Sequence, residues 1–203
     1  MNLRELFGDI DIHLFDQLLT GRLRKPMAVL DAGCGGGRNL VYLLREGFEV
    51  FAVDTDAASV DQVDALARAL APGTPRGRFS VASIEALPHP DARFDWVLCN
   101  AVLHFARDEA QFLAMLREMA RVLRPGGTLW SRLMTTHGVE ALVRPLGGRR
   151  FALPGGQEAF LADEALLLRV TREVFRGDLA GPLKSTLVHG RRTMTTWVVR
   201  RGA

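Results

Sequence analysis

The chain has 203 residues, 48% hydrophobic and 24% charged, enough to bury the core of one ordinary globular domain without disulfide or metal staples. No apolar run reaches the roughly 20 residues that cross a bilayer. The acidic, amphipathic start MNLRELFGDIDIHLFDQ lacks the basic opening and apolar stretch of a signal peptide, so a cytoplasmic location without membrane attachment is expected. The formal charge is +3 with a pI near 9.4, carried by dispersed arginines with lysine only at Lys25 and Lys184, which argues against a nucleic-acid partner. Cys34 and Cys99 set no disulfide framework, and the five histidines show no metal-ligand spacing, so no metal is expected.

From Asp9 to Leu19, apolar residues at Ile10, Leu14, Phe15, Leu18 and Leu19 follow helical spacing. GRLRKP ends that helix and leads into a short strand, Met27 to Leu30. After VLDAGCGGGRNL, the residues Leu40, Val41 and Leu44 mark a helix face that stops at Gly47. FEVFAVD reads as a second strand, and Asp56 caps a helix carrying Val60, Val63, Leu66 and Leu70. APGTPRG breaks it before a third strand, RFSVA. LPHPDARFDWVLCN is a proline-marked loop and a fourth strand. RDEAQFLAMLREMARVLRPGG predicts a helix with Phe112, Leu116, Met119, Ala120 and Leu123 aligned and Pro125-Gly126-Gly127 ending it; TLWSRLM is a fifth strand. THGVEALVRPLGGRRFALPGGQEAF has no sustained period and reads as a long loop or small insertion. DEALLLRV is a short helix capped by Asp163. Arg172 to Val188 and Arg192 to Val199 read as an antiparallel strand pair joined near His189-Gly190. Strands alternating with helices predict an α/β fold, a mostly parallel sheet with helices on both faces.

The glycine cluster in VLDAGCGGGRNL needs a ligand that lies against bare backbone. A phosphate loop is excluded, because no GK pair followed by Ser or Thr closes the run. A dinucleotide fingerprint fails as well: Gly33 and Gly35 occupy its first two glycine positions, but Arg38 stands at the third. Asp54, at the end of the second strand, suits a ribose diol. The pattern therefore supports an adenosine half without a pyrophosphate.

VLDAGCGGGRNL with FAVDTD resembles the first motif and acidic strand end of class I S-adenosylmethionine-dependent methyltransferases. ASIEALPHPDARFDWVLCNAVLHF and LREMARVLRPGGTLW are similar to the elements that follow in that family, in register from about Met27 to Leu133. The resemblance implies a Rossmann-like, seven-stranded sheet with a C-terminal antiparallel strand pair. It divides a single 1–203 domain into an N-terminal helix or lid (1–25), a cofactor core (26–133) and an acceptor-side insertion with a hairpin (134–203). Within the family, GCGGGRNLVYLLREGFEVFAVD is most similar to the tellurite-resistance and thiopurine methyltransferase branch, through Arg38-Asn39.

The resemblance also implies roles for individual residues. Gly33, Cys34 and Gly35 let the methionine part of S-adenosylmethionine lie on the backbone, and Asp31 orients its amino group. Arg38 and Asn39, at a helix start, face its carboxylate. Asp54 accepts from the ribose hydroxyls beside Thr55, Ser83 and the Ile84 N–H meet adenine, and Asn100 and Ala101 close the site. Many relatives have aspartate where Ser83 stands, and Glu85 is placed to compensate. Arg38 has an equally good reading as a structural ion pair. The product is S-adenosylhomocysteine.

For the acceptor the residues say less. Asn100-Ala101-Val102-Leu103 lacks the Asn/Asp-Pro-Pro-aromatic sequence of enzymes that methylate base or amide nitrogens. His104 is the candidate general base, against a packed, hydrogen-bonded alternative. His13, His104, Arg132, Arg149 and His189 are the candidate acceptor-side residues. The expectation is transfer to a soft or anionic small molecule by in-line displacement. The alternatives are an RNA methyltransferase, which requires a basic surface beside the pocket, and a non-catalytic S-adenosylmethionine-binding protein.

Overall fold

The computed structural model describes residues 2–203; Met1, which opens the N-terminal stretch, lies outside them. The chain begins with two helices, α1 (Leu3–Phe7) and α2 (Ile12–Leu19), capped by Asn2 and Asp11. The sequence predicts only the second, and over a longer span. Gly8, at φ 64°, breaks the run, and α1 packs Phe7 against Phe15 and Tyr42 with ring centroids 4.7 Å apart in each pair.

The central sheet is built from β1 (Ala28–Ala32), β2 (Glu49–Asp54), β3 (Phe79–Val81), β4 (Phe94–Asn100) and β5 (Leu123–Thr135). Between them lie α3 (Val41–Arg45), α4 (Ala57–Leu70, capped by Asp56) and α5 (Glu109–Val122, capped by Asp108). These five strands run parallel in the order β3-β2-β1-β4-β5, so the order reverses at β1. Every residue of β1 is buried, as a strand covered on both faces requires. One core cluster packs Leu30, Phe94, Val97 and Phe112 on one face, and a second packs Val29, Leu43, Trp96 and Trp130 on the other.

The C-terminal third departs further from expectation. The stretch after β5, predicted as a loop or insertion, contains a three-stranded antiparallel sheet: β6 (Arg144–Gly147), β7 (Arg150–Ala152) and β8 (Glu158–Phe160). Its strands are three or four residues long, too short for alternation to register. They are held by a separate apolar cluster of Met134, Val139, Val143, Leu153, Ala159, Leu161 and Met194. α6 (Glu164–Glu173) is capped by Asp163 and runs on through Arg172 and Glu173, where strand was predicted. Only β9 (Asp178–Leu179) and β10 (Lys184–Val188) follow before β11 (Arg192–Arg200), because Gly181 and Pro182 interrupt the extended run. β10 and β11 pair antiparallel through a tight turn in which His189 and Gly190 both have positive φ. β11 then pairs antiparallel with β5, giving a seven-stranded path β10-β11-β5-β4-β1-β2-β3 with β9 added beside β11.

Candidate functional site

A cavity of about 650 Å³ opens at the carboxyl ends of β1, β2 and β4, where the strand order reverses. Open α/β sheets bind ligands at such a point because the connecting loops part to opposite faces there. Asp31, Gly33, Cys34, Gly35, Arg38, Asn39, Asp54, Thr55, Ser83, Ile84, Asn100 and Ala101 all line it. The structure thus brings the whole candidate cofactor set onto one wall. Gly36, Ala82, Glu85, Val102, Phe105, Gln111 and Met115 complete the lining.

The loop after β1 is shaped by steric necessity. Gly33 turns at φ 84°, and a Cβ there would collide with the Val102 side chain. Gly35 also has positive φ, but a Cβ at that position would point into open space. Bare peptide at Gly35 therefore faces the cavity. The Gly35 N–H donates to Asp54 Oδ2 at 2.9 Å, and Asp56 N–H donates to Asp54 Oδ1 at 3.0 Å. Asp54 thereby joins the glycine loop to the end of β2. A carboxylate accepts about four hydrogen bonds, so capacity remains for a ligand.

Asp31 is different. Its side chain is buried at the end of β1, and Oδ1 has no hydrogen-bond partner among the described residues. Burial, with the nearby Asp54 charge, pushes its carboxyl up to about 7, and Arg38 opposes the shift. An orphaned buried acceptor is costly unless something donates to it. The same burial and the charges of Asp31 and Asp54 raise the Cys34 thiol far above the usual range, so Cys34 is a packed thiol rather than a nucleophile.

At the other end of the cavity, the Ser83 hydroxyl accepts from the Glu85 N–H at 3.2 Å. Glu85 Oε1 accepts from Gln111 Nε2 at 2.6 Å, and Gln111 Oε1 accepts from the Arg107 N–H at 2.8 Å. This chain fixes a carboxylate beside Ser83. Gln111 was missed in the sequence because it stands on α5, and only the fold brings α5 beside the loop after β3.

Arg38 and Asn39 line the cavity but do not begin a helix: α3 starts at Val41 and has five residues, so no helix dipole acts at either side chain. Both engage the N-terminal arm instead. Asn39 Oδ1 accepts from the Asp11 N–H at 3.0 Å, and Arg38 pairs with the Asp11 carboxylate at 3.4 Å.

None of the five candidate acceptor-side residues lines this cavity. Arg132 pairs with Asp11 at 2.7 Å, beneath α2, and His13 lies in the first turn of α2, half-buried, its pKa lowered by burial and by Arg132. Arg149 donates to Glu109 at 3.1 Å and Asp163 at 2.9 Å, tying the small sheet to α5 and α6. His189 is exposed at the hairpin turn. His104 sits in a 3-10 turn, Leu103–Phe105, and is 3% exposed. Burial and then Arg192 lower it to about 4, so it is neutral at pH 7, with Nδ1 unpartnered among the described residues. Its neighbours Val102 and Phe105 reach the cavity in its place. Among the described residues no group of three His, Cys, Asp or Glu side chains is set to hold a metal, and no helix is long and apolar enough to cross a membrane.

Residues 29–127 match the family model described as a methyltransferase domain. The malonyl-[acyl-carrier protein] O-methyltransferase of Pseudescherichia vulneris is 37% identical over 114 residues, covering 55% of this chain and 41% of that protein. The chain spans less than half the length of the first curated relatives it matches. Among solved structures, a methyltransferase from Methanosarcina mazei superposes with a TM-score of 0.74 at 18% identity, over 91% of this chain and 97% of that one. The Burkholderia thailandensis 1,6-didemethyltoxoflavin-N1-methyltransferase, solved with S-adenosylhomocysteine, superposes with a TM-score of 0.71 at 22% identity, over 97% and 80%. These two likenesses establish the fold: a Rossmann-like sheet closed by an antiparallel strand pair.

Proposed function

We propose that this chain is a class I S-adenosylmethionine-dependent methyltransferase, acting as a single domain that methylates a soft, largely apolar small molecule. The observation that carries the reading is the buried, partnerless Oδ1 of Asp31 beside the bare peptide of Gly35. An ammonium group resting on that peptide satisfies the orphaned acceptor, and the residues present fit the methionine end of the cofactor on that ground. Bound there, S-adenosylmethionine supplies a sulfonium-activated methyl, which passes to an in-line nucleophile with S-adenosylhomocysteine left behind.

The chain's own residues do the positioning. Gly33, Cys34 and Gly35 offer backbone to the methionine part, while Asp54 and Thr55 take the ribose diol. Ser83, Ile84 and the Glu85–Gln111 pair take the adenine edge. Asn100 and Ala101 close the wall between cofactor and acceptor, and the Ala101 N–H, donating to Arg132 O at 2.8 Å, fixes that turn. Arg38 remains within reach of the cofactor carboxylate as its second contact after Asp11. No side chain is required to form a covalent intermediate; holding acceptor, methyl and sulfur in line and excluding water supplies the rate.

The acceptor reading follows from what is engaged and what is free. Of the cationic candidates for an anionic acceptor, Arg132, Arg149 and Arg150 already hold carboxylates, and none of the candidates lines the cavity. Val102, Phe105 and Met115 make that part of the lining apolar and soft. A nucleophile that arrives without a proton to lose suits this wall, because His104 is buried off it. An RNA acceptor calls for basic surface beside the mouth, whereas the unengaged Arg22, Arg24, Arg176 and Arg200 lie together at the opposite edge of the sheet. Membership of the tellurite-resistance and thiopurine branch rests on Arg38-Asn39, whose side chains here bind Asp11, so the proposal does not depend on it.

Calorimetric titration with S-adenosylmethionine, S-adenosylhomocysteine and NADH tests the assignment. The two sulfur compounds bind at one site per chain and NADH does not; saturable NADH binding without sulfonium binding overturns it. Absence of turnover across a panel of thiol, selenol and heteroaromatic acceptors, with binding intact, would favour a non-catalytic S-adenosylmethionine-binding role.

A further inference from the structure

At the edge of the sheet opposite the cofactor cavity lies a second, larger concavity of about 1010 Å³. It is bounded by the start of β1, the amino ends of β4 and β5, and the carboxyl end of β11. Six arginines line it: Arg22, Arg24, Arg124, Arg176, Arg200 and Arg201. Two acidic side chains, Asp95 and Asp178, share the wall, with Ala203 beside them. Arg124 pairs with Asp95 at 2.5 Å, and Arg201 donates to the Leu123 carbonyl. The other four arginines make no side-chain hydrogen bond or ion pair among the described residues, although Asp178 stands opposite Arg200 in strand register.

This convergence is built by the backbone. The segment Arg176–Gly177 crosses Arg200–Gly202 so closely that a Cβ at Gly177 would collide with the Arg200 carbonyl, and one at Gly202 with the Arg176 carbonyl. Gly202 N–H donates to Phe175 O at 3.1 Å, locking the crossing. Arg176 itself is held at φ 48°, a conformation that costs a non-glycine residue energy. The crossing sets Arg176, Arg200 and Arg201 on one rim, against their mutual repulsion.

Beyond that rim most of the basic charge is paired, Arg117 in the adjoining hollow being without a partner among the described residues. The neighbouring Arg121 is engaged by Glu118 and Asp91, and Arg169 by Glu109 and Glu173. A nucleic-acid strand requires a long basic track running beyond a concavity, and in the adjoining hollow Arg117 alone extends the unpaired charge among the described residues. Several guanidinium forks around one open concavity match a compact, multiply charged anion, since each fork meets two phosphoryl oxygens at once.

We propose that this basin is a binding site for a small oligophosphate, a ligand bearing two or more linked phosphoryl groups, distinct from the methyl-transfer cavity. The full-length chain titrated with inorganic triphosphate at 0.1 M salt, followed by calorimetry and by fluorescence of Trp96 in the basin wall, tests it. One triphosphate binds per chain. The paired substitution Arg176→Gln/Arg200→Gln weakens it at least tenfold, Arg24→Gln alone weakens it several-fold, and Arg45→Gln on α3 leaves it unchanged. S-adenosylmethionine affinity is the same in all variants, which reports that each is folded. Non-saturable binding, equal affinity in the substituted chains, or an RNA oligomer that outcompetes triphosphate through the same arginines would each overturn the proposal.

Discussion

Asp11 and Asp31 are both buried carboxylates in contact with the glycine-loop region, one on the N-terminal arm and one in β1, and they differ in what surrounds them. Asp11 accepts from Arg132, Arg38 and the His13 N–H, so it is satisfied by the fold itself. Asp31 has one oxygen with no donor, and Arg38 only partly offsets its burial. A carboxylate whose partners are all internal joins elements; one left short of a partner in a cavity awaits a ligand. The arm holds its position over the loop through the first, and the chemistry sits at the second.

That contrast can be broken at either end. Asp11→Ala leaves Arg132, which is 17% exposed, without its counter-charge and removes the α2 cap. The expected cost is about 3–5 kcal/mol, or roughly 6–20 °C in thermal midpoint; an unchanged midpoint in scanning calorimetry would show that the arm is not anchored there. His104 provides the next largest effect. Its folded pKa of about 4 lies below the ordinary value of 6.5, so the unfolded chain takes up the proton first as pH falls. Its stability contribution is complete above pH 6.5 and is lost toward pH 4, about 3 kcal/mol in all. His104→Gln should flatten that part of the denaturation profile; identical profiles for the two chains would mean His104 is not held neutral.

At Asp31 the expected sign is reversed. Asp31→Asn removes a buried charge, so stability is kept or slightly raised, while S-adenosylmethionine binding weakens by about 1.5–3 kcal/mol, the worth of a hydrogen bond to a charged group. Equal loss of stability and affinity would make Asp31 a structural residue like Asp11. The smallest effect is the most specific. Because the free chain holds Asp31 protonated up to about pH 7, its own contribution to stability is lost as pH rises from 4 through 7. A bound ammonium draws the carboxyl back to its ionised form, so affinity should rise several-fold between pH 6 and 8 with proton release, and Asp31→Asn should abolish the trend. A flat affinity profile in the wild-type chain would contradict it.

The parallel core was legible because its signals are local. Each strand is a short apolar run closed by a turn or an acid, and Asp56, Asp108 and Asp163 cap helices where side chain and first turn are neighbours in sequence. The glycine loop and Asp54 were legible from their spacing, and Ser83 and Asn100 through the family resemblance; all line one cavity, since in a parallel sheet every strand delivers its carboxyl end to the same edge. The acceptor side was not legible. Arg132 meets Asp11 across 121 positions and Arg149 meets Glu109 across 40, so nothing local reports that these cations are engaged. The strands of the small sheet are stabilised by a cluster that draws Met134 and Met194 from β5 and β11, which no window of the insertion contains. The arginine basin was hidden for the same reason: residues near 22, 124, 176 and 200 are scattered in sequence and adjacent only once the edge of the sheet is built.

The central claim is that Asp31 and the bare peptide of Gly35 hold the amino-acid end of an adenosyl sulfur compound. A crystal structure of the chain with S-adenosylhomocysteine tests it most directly. The account predicts the ligand's ammonium within hydrogen-bonding distance of Asp31 Oδ1, directly or through one water, and its ribose hydroxyls on Asp54. A ligand seated elsewhere, or with Asp31 Oδ1 still unpartnered, would contradict it.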